Sequence, residues 1–134
     1  MIKFEELKIR TPKREVLVNI TGDIKKIVKN SNVKEGVCRI FIPHTTAGIT
    51  INENADPAVM KDIVNYLHKL IPQNAGFSHM EGNSDAHIKT SLTGPSLEVI
   101  IHSGKLMLGT WQGLMLAEYD GPRNRKVYMQ IQGE

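Results

Sequence analysis

The chain has 134 residues, of which 40% are hydrophobic and 23% are charged, and its net charge at pH 7 is +3. This size and composition predict a single globular domain over residues 1–134 whose core is large enough to fold without disulfides. The mild, dispersed charge argues against nucleic-acid binding, which favours a basic stripe with stacking aromatics, and it better suits a small anionic ligand.

The sequence shows no segment that targets or inserts into a membrane. No apolar run approaches the roughly 20 residues that span a bilayer, and the first ten residues alternate apolar with charged side chains, unlike a signal peptide. The single cysteine, Cys38, lies in the apolar run VCRIFI and is expected to be a buried side chain rather than a reactive thiol. A lone cysteine fits a reducing compartment, so we expect a cytoplasmic protein with no membrane partner.

The first third of the chain predicts strands and one short helix. Apolar alternation predicts strands over residues 2–10 and 15–20, and these two are expected to form a hairpin. Thr21 is expected to cap a helix over residues 22–31. The nearly continuous apolar run over residues 37–42 predicts a central strand that is buried on both faces.

The remainder predicts two helices and further strands. Asp56 followed by Pro57 is typical of a helix start, and that helix is expected to continue to about residue 71. A shorter helix is expected near residues 85–92. The further predicted strands cover residues 48–52, 97–102, 105–108, 111–119 and 126–132. Eight or nine strands with about three helices predict the α+β class, as a compact sandwich on a mixed, mainly antiparallel sheet.

Three polar segments stand out from this pattern. They are HTTAGITINENADP at residues 44–57, HMEGNSDAH at residues 79–87 and WQGLMLAEYDGPRNR at residues 111–125. They carry imidazole, hydroxyl, carboxylate and guanidinium groups that a chain does not need merely to turn. We therefore expect the three segments to meet in one functional site.

The first segment supplies the candidate catalytic residues. His44 and Glu53 are the candidates for moving protons, since each has a side chain suited to general acid–base catalysis and no evident structural task. Thr45 and Thr46 either donate hydroxyl groups to an oxyanion or simply close a turn. Asp56 is sufficiently explained as a helix cap.

The second segment supplies candidate metal ligands. His79, His87 and Asp85, with Glu81 between the two histidines, are residue types that bind a divalent metal such as Zn²⁺ or Mg²⁺. The spacing is not that of a strong metal motif. The alternative is that the histidines satisfy buried backbone groups, which is the favoured interpretation for His102.

Candidate phosphate-binding residues come from the second and third segments. Gly82, Asn83 and Ser84 precede a predicted helix and resemble the backbone nest that holds an anion at a helix start. Arg123 and Arg125 are suited to bidentate contact with a phosphate. The alternative for the two arginines is a solvated hairpin loop.

The blocks HTTAGITINENADP, HMEGNSDAHIKTSLTG and SGKLMLGTWQGLMLAEYDGPRNRKV, in this order, closely resemble the YjbQ-like family over about residues 37–132. The resemblance implies a compact α/β sandwich that assembles as a homotrimer. It also implies a weak, secondary thiamine-phosphate synthase activity, which joins a pyrimidine methyl diphosphate to a thiazole phosphate and releases pyrophosphate.

Two classes of function follow from these expectations. The first is an enzyme that acts on a small phosphorylated metabolite through a pocket of histidine, glutamate and arginine side chains. The second is a trimeric protein that binds a metal or an anionic metabolite without catalysis. A third possibility is a hydrolase that uses a metal-bound water.

Overall fold

The chain folds into eight strands and three helices. The computed structural model describes all of residues 1–134. In chain order the elements are β1 (Ile2–Arg10), β2 (Val16–Asn19), α1 (Thr21–Ser31), β3 (Glu35–Phe41), β4 (Ala47–Glu53), α2 (Pro57–Leu70), α3 (Ser84–Thr93), β5 (Ser96–His102), β6 (Lys105–Leu106), β7 (Gln112–Glu118) and β8 (Asn124–Gly133). The α+β class with three helices is therefore confirmed.

The strands form two sheets. The larger sheet has the order β1-β8-β3-β5-β6, and the smaller sheet has the order β2-β7-β4. Every strand pair is antiparallel, so the sheets are not mixed. The predicted hairpin of the first two strands is wrong, because β1 pairs with β8 while β2 pairs with β7. Alternation identifies a strand, but it does not identify the strand's partner.

The main core lies between the two sheets and α1. Its buried side chains come from α1, from β3 to β8 and from residues next to these elements: Ile20, Ile24, Val28, Val33, Cys38, Ile40, Ile42, Ala47, Ile49, Val99, Ile101, Leu106, Leu114, Leu116, Val127, Met129 and Ile131. Burial raises the pKa of the Cys38 thiol to about 11, as expected of a buried, unreactive cysteine.

The strand β3 is central but is covered on one face only. Cys38 and Ile40 point into the core, whereas Arg39 and Phe41 point outward, and Phe41 is 48% exposed. Arg39 lies on that outer surface and pairs with Glu98 at 3.1 Å. The expectation of burial on both faces is therefore wrong, since an apolar run does not show which of its sides another layer covers.

The helix starts were predicted with mixed success. Asp56 caps α2, and its Oδ1 accepts a hydrogen bond from the Ala58 N–H at 2.9 Å. Thr21 is instead the first residue of α1, and its hydroxyl donates to Asn19 Oδ1 at 2.6 Å. None of the three helices is long and apolar enough to cross a membrane. The cytoplasmic location stays a prediction.

Candidate functional site

A cleft of about 710 Å³ lies where β3 passes into β4, with the loops before α3 and before β8 as its other walls. Its lining residues come from all three polar segments. They are Phe41, Ile42, Pro43, His44, Thr45, Thr46, His79, Glu81, Asn83, His87, Pro95, Asp120, Arg123 and Arg125. Because segments distant in sequence bring their polar side chains together here, this cleft is the candidate site.

The position of His44 follows from the way in which β3 ends. The ladder between β3 and β8 stops at the pair Phe41 and Tyr128, and Pro43 follows two residues after Phe41, the last residue of β3. The N–H of Lys126, two residues before Tyr128 in β8, therefore has no partner in β3. It donates instead to His44 Nε2 at 2.9 Å, so that the imidazole completes the hydrogen bonding of the strand.

This hydrogen bond fixes the chemistry of His44. A ring nitrogen that accepts a hydrogen bond carries no proton, so the neutral ring is protonated on Nδ1. Burial, and next the positive charge of Arg125, lower the pKa of His44 below its ordinary value of 6.5. Near pH 7 His44 is thus a neutral donor through Nδ1–H, and its role in moving protons stays a prediction.

Arg125 lies beneath the cleft and is 5% exposed. Its Nε donates to Glu118 Oε1 at 2.8 Å, and its Nη2 donates to Glu118 Oε2 at 2.5 Å and to Thr46 Oγ1 at 2.8 Å. Burial alone would raise the pKa of Glu118, but hydrogen bonds from Arg125, Thr11 and the Asp120 N–H hold it below the ordinary value. Arg125 therefore positions Thr46, and the expectation of an open phosphate clamp at Arg125 is not met.

Arg123 is the accessible cation of the cleft, with a side chain that is 52% exposed. Its Nε donates to the Asp120 carbonyl oxygen at 2.7 Å, and its Nη2 donates to Asp120 Oδ2 at 3.0 Å. The same Asp120 Oδ2 accepts from Asn83 Nδ2 at 2.9 Å. These bonds hold Arg123 in place and keep its Nη1 for a ligand.

His79 and His87 lie against each other at the N-terminal end of α3. Their ring centroids are 5.5 Å apart in an edge-on arrangement, and His79 Nε2 is 3.9 Å from Glu81 Oε2. Asp85 is not beside them. Its carboxylate is fully buried and pairs with Arg14 at 3.0 Å and Lys89 at 2.9 Å, so it is not available to a metal. No group of three or more His, Cys, Asp or Glu side chains is arranged to hold a metal ion.

Three other predicted site residues do not line the cleft. Glu53 is the last residue of β4, about 20 Å along the strand from the end at Ala47, at about 3.3 Å per residue. The Gly82 N–H donates to the His79 carbonyl oxygen at 3.3 Å, and Ser84 lines a neighbouring pocket that shares His79 and His87 with the cleft. The backbone nest at residues 82–84 stays a prediction, and of these three residues Asn83 alone lines the cleft.

Sequence reasoning missed Glu118 and Asp120. The signal for Glu118 was present, because an acidic residue in the apolar strand GLMLAEY needs a buried partner, and Arg125 follows seven residues later. Asp120 had no such signal, since an aspartate in a loop rich in Gly and Pro is explained by the turn itself.

Comparison with known proteins agrees with this fold. The model of the family described as "UPF0047 protein YjbQ-like" matches residues 5–134. A UPF0047 protein of Methanocaldococcus jannaschii is 59% identical over 126 residues, covering 94% of this chain and 91% of that protein. The UPF0047 protein YugU of Bacillus subtilis is 44% identical over 128 residues, covering 95% and 97% of the two chains.

Solved structures agree with the sequence relatives. A YjbQ/UPF0047 protein of Clostridium acetobutylicum has a TM-score of 0.93 and 51% identity, covering 96% of this chain and 99% of that chain. A protein of Sulfolobus solfataricus described as YbjQ-like and of unknown function has a TM-score of 0.96 and 33% identity, covering 100% and 99%. These matches name a family and no thiamine-phosphate synthase. The chain belongs to the YjbQ-like UPF0047 family.

Proposed function

We propose that the cleft binds a small phosphorylated metabolite and catalyses a reaction on it. The observation that carries this proposal is the convergence of His44, His79 and His87 on one cleft that also holds Arg123. An arginine N–H and an imidazole N–H both suit phosphate oxygens. The first reaction to test is the thiamine-phosphate synthase type, in which a pyrimidine methyl diphosphate loses pyrophosphate to a thiazole phosphate.

The charges of the cleft support a limited role for the protein's own cations. Arg125 is neutralised by Glu118, and Arg123 is partly neutralised by Asp120. Pyrophosphate gains negative charge as it leaves, and Arg123 and the His44 N–H together would not balance that charge. We therefore propose that a divalent metal takes part. His79 and His87 would supply two imidazole ligands, which suit Zn²⁺ better than Mg²⁺. Metal analysis of the purified protein and of a His79→Ala, His87→Ala double variant tests this assignment.

The activity test uses the two thiamine precursors with Zn²⁺ and, separately, with Mg²⁺, and it measures pyrophosphate release. We expect turnover above the buffer rate, lost in His79→Ala and retained in Glu53→Ala, the matched control at the far end of β4. Unchanged turnover in His79→Ala would contradict the site assignment. Loss of turnover in Glu53→Ala would restore Glu53 to the site.

A non-catalytic binder is the second candidate, and the paired state of both arginines favours it. If no pyrophosphate appears while inorganic phosphate or Zn²⁺ still raises the melting temperature, the cleft binds without this chemistry. Release of product from generic phosphate esters or carboxylic esters would instead identify a metal-dependent hydrolase.

We also propose that the chain assembles as a homotrimer through the outward face of the larger sheet. Large apolar side chains stand exposed on that face, at Ile2, Phe4, Phe41 and Ile100. Phe41 also lines the cleft, so a neighbouring copy on this face would lie beside the site. Native mass spectrometry should give three times the chain mass of 15.0 kDa, reduced by Phe4→Glu but not by Leu70→Lys on α2. A monomer in wild type would contradict the assembly.

A further inference from the structure

The side-chain amide of Asn83 has one partner and one unsatisfied atom. Its Nδ2 donates to Asp120 Oδ2 at 2.9 Å, whereas its Oδ1 is buried and has no hydrogen-bond partner. Asn83 as a whole is 8% exposed and lines the cleft. Reversing the amide would set Oδ1 against a carboxylate, so Asp120 determines that the unpartnered atom is the acceptor.

The position of Asn83 at the start of α3 makes this orientation unusual. An asparagine at an N-cap ordinarily turns its Oδ1 back to accept an N–H from the first turn of the helix. Asn83 makes no such bond. The Ala86 and His87 N–H groups donate instead to its backbone carbonyl oxygen, at 3.0 and 3.4 Å. The side chain is thus held by Asp120 in the wall of the cleft and not by its own helix.

We propose that Asn83 makes the cleft selective for a phosphorylated metabolite that also carries an amino or hydroxyl hydrogen-bond donor, a selectivity that rests on the proposed function. Asn83 Oδ1 accepts the donor of the ligand. This role is opposite to the one expected from the sequence, in which Asn83 donates to a phosphate. The non-bridging oxygens of an ionised phosphate carry negative charge and no hydrogen, so a carbonyl oxygen would repel them.

The same contacts limit the size of the ligand. Asp120 Oδ2 accepts from both Asn83 Nδ2 and Arg123 Nη2, so those two groups are within two hydrogen-bond lengths of each other. The acceptor for the donor group and the cation for the phosphate are therefore neighbours. A small ligand that carries its donor group close to its phosphate suits this arrangement, as in phosphoethanolamine or glycerol phosphate.

A second buried atom on the same helix provides the control. Thr90 Oγ1 is also buried without a partner, but Thr90 does not line the cleft. An unsatisfied atom that merely holds an ordered water would behave alike at both positions. An atom that recognises the ligand would matter only at Asn83.

Calorimetric titration with three phosphates of similar size tests the proposal. Phosphoethanolamine and glycerol phosphate carry a donor, whereas propyl phosphate lacks one. We expect wild type to bind one or both of the first two at least about tenfold more tightly than propyl phosphate. Which of these two binds more tightly shows whether the site prefers an amine or a hydroxyl donor. Asn83→Leu should abolish this ratio while propyl phosphate binding is retained, and Thr90→Val should preserve the ratio.

The outcomes separate this proposal from the proposed function. Equal binding of all three phosphates by wild type would overturn the selectivity and leave phosphate binding in place. Binding of none of them would overturn both. If Asn83→Leu does not fold, the Asn83 side-chain amide signal in wild-type NMR spectra replaces it. That signal should shift more with a donor-bearing phosphate than with propyl phosphate, and an equal shift would overturn the proposal.

Discussion

Arg125 and Glu118 form a buried, two-point ion pair directly beneath the cleft, and the same guanidinium group holds the hydroxyl of Thr46. Glu118 in turn accepts from the Thr11 hydroxyl at 2.7 Å and from the Asp120 N–H at 3.1 Å. One carboxylate therefore connects the end of β1, the loop before β8 and the loop after β3. Two walls of the cleft, at Thr46 and Asp120, are thus tied to the end of β1 by a pair that itself has little access to a ligand.

Replacing Glu118 by glutamine should destabilise the protein by about 3–5 kcal/mol, because Arg125 would remain buried without a counter-charge. Urea unfolding measures this loss. The matched control is Glu98→Gln, which breaks the exposed pair between Arg39 and Glu98 and should change the free energy of unfolding by at most about 1 kcal/mol. Equal losses in the two variants would show that burial of the Arg125 pair is not what matters.

His44 should be observed as the neutral tautomer protonated on Nδ1. Imidazole nitrogen chemical shifts report this directly at pH 7, and a proton on Nε2 would contradict the bond from the Lys126 N–H. In binding assays, His44→Asn should lower the affinity for pyrophosphate less than His44→Gln does. The asparagine amide nitrogen can occupy the place of Nδ1, whereas the glutamine amide reaches toward the place of Nε2. Equal weakening would argue against a donor role.

The lowered pKa of His44 predicts a pH dependence of stability above pH 5. Protonation is favoured in the unfolded chain, where the pKa is close to 6.5, and is opposed in the folded protein. The free energy of unfolding should therefore fall as pH decreases through 6.5. The part of this fall that comes from His44 should end below the pKa of His44 in the folded protein. The fall should be shallower in His44→Asn. An equal slope in wild type and variant, measured by urea unfolding from pH 7.5 to 5, would contradict the lowered pKa.

The sequence predicted most element positions because local patterns determine them. The Asp56 cap and the Ser103–Gly104 turn between β5 and β6 are encoded within a few residues. Strand partners are encoded by surfaces distant in sequence, which is why the pairing of β1 with β8 was not foreseen. The outward face of β3 was hidden for the same reason, since an apolar run is compatible with burial or with exposure.

The site was predicted at the level of segments and less well at the level of roles. The convergence of His44, His79 and His87 was expected because each lies near the end of an element: His44 after β3, His79 in the loop before α3 and His87 in the first turn of α3. The roles of Asn83 and Arg125 depend on carboxylates elsewhere in the chain. Asp120 accepts the hydrogen bond of Asn83, and Glu118 accepts those of Arg125. A single sequence shows which chemical groups are present, but it does not show which of them neutralise each other.

Lys89 should be a stability determinant of the helix that carries Asn83 and His87. Its ammonium group is fully buried and pairs with Glu15 and with Asp85. Lys89→Met should destabilise the protein by about 3–5 kcal/mol, because it leaves carboxylates short of a partner. Lys61→Met on the exposed side of α2 is the control and should be nearly neutral. A neutral Lys89→Met would indicate that Arg14 alone satisfies Asp85.

Acid should destabilise the protein through Glu118. Its pKa in the folded protein lies below the ordinary value of 4.5, so its contribution to stability is complete above pH 4.5 and is lost as pH falls through the folded pKa. Glu118→Gln has no such group to protonate. Between pH 5 and 3 the variant should therefore lose less stability than wild type, although the remaining loss from Asp85, whose pKa is also lowered, is common to both. Urea unfolding at half-unit steps measures the two slopes, and parallel slopes would mean that the pair with Arg125 does not favour the ionised carboxylate.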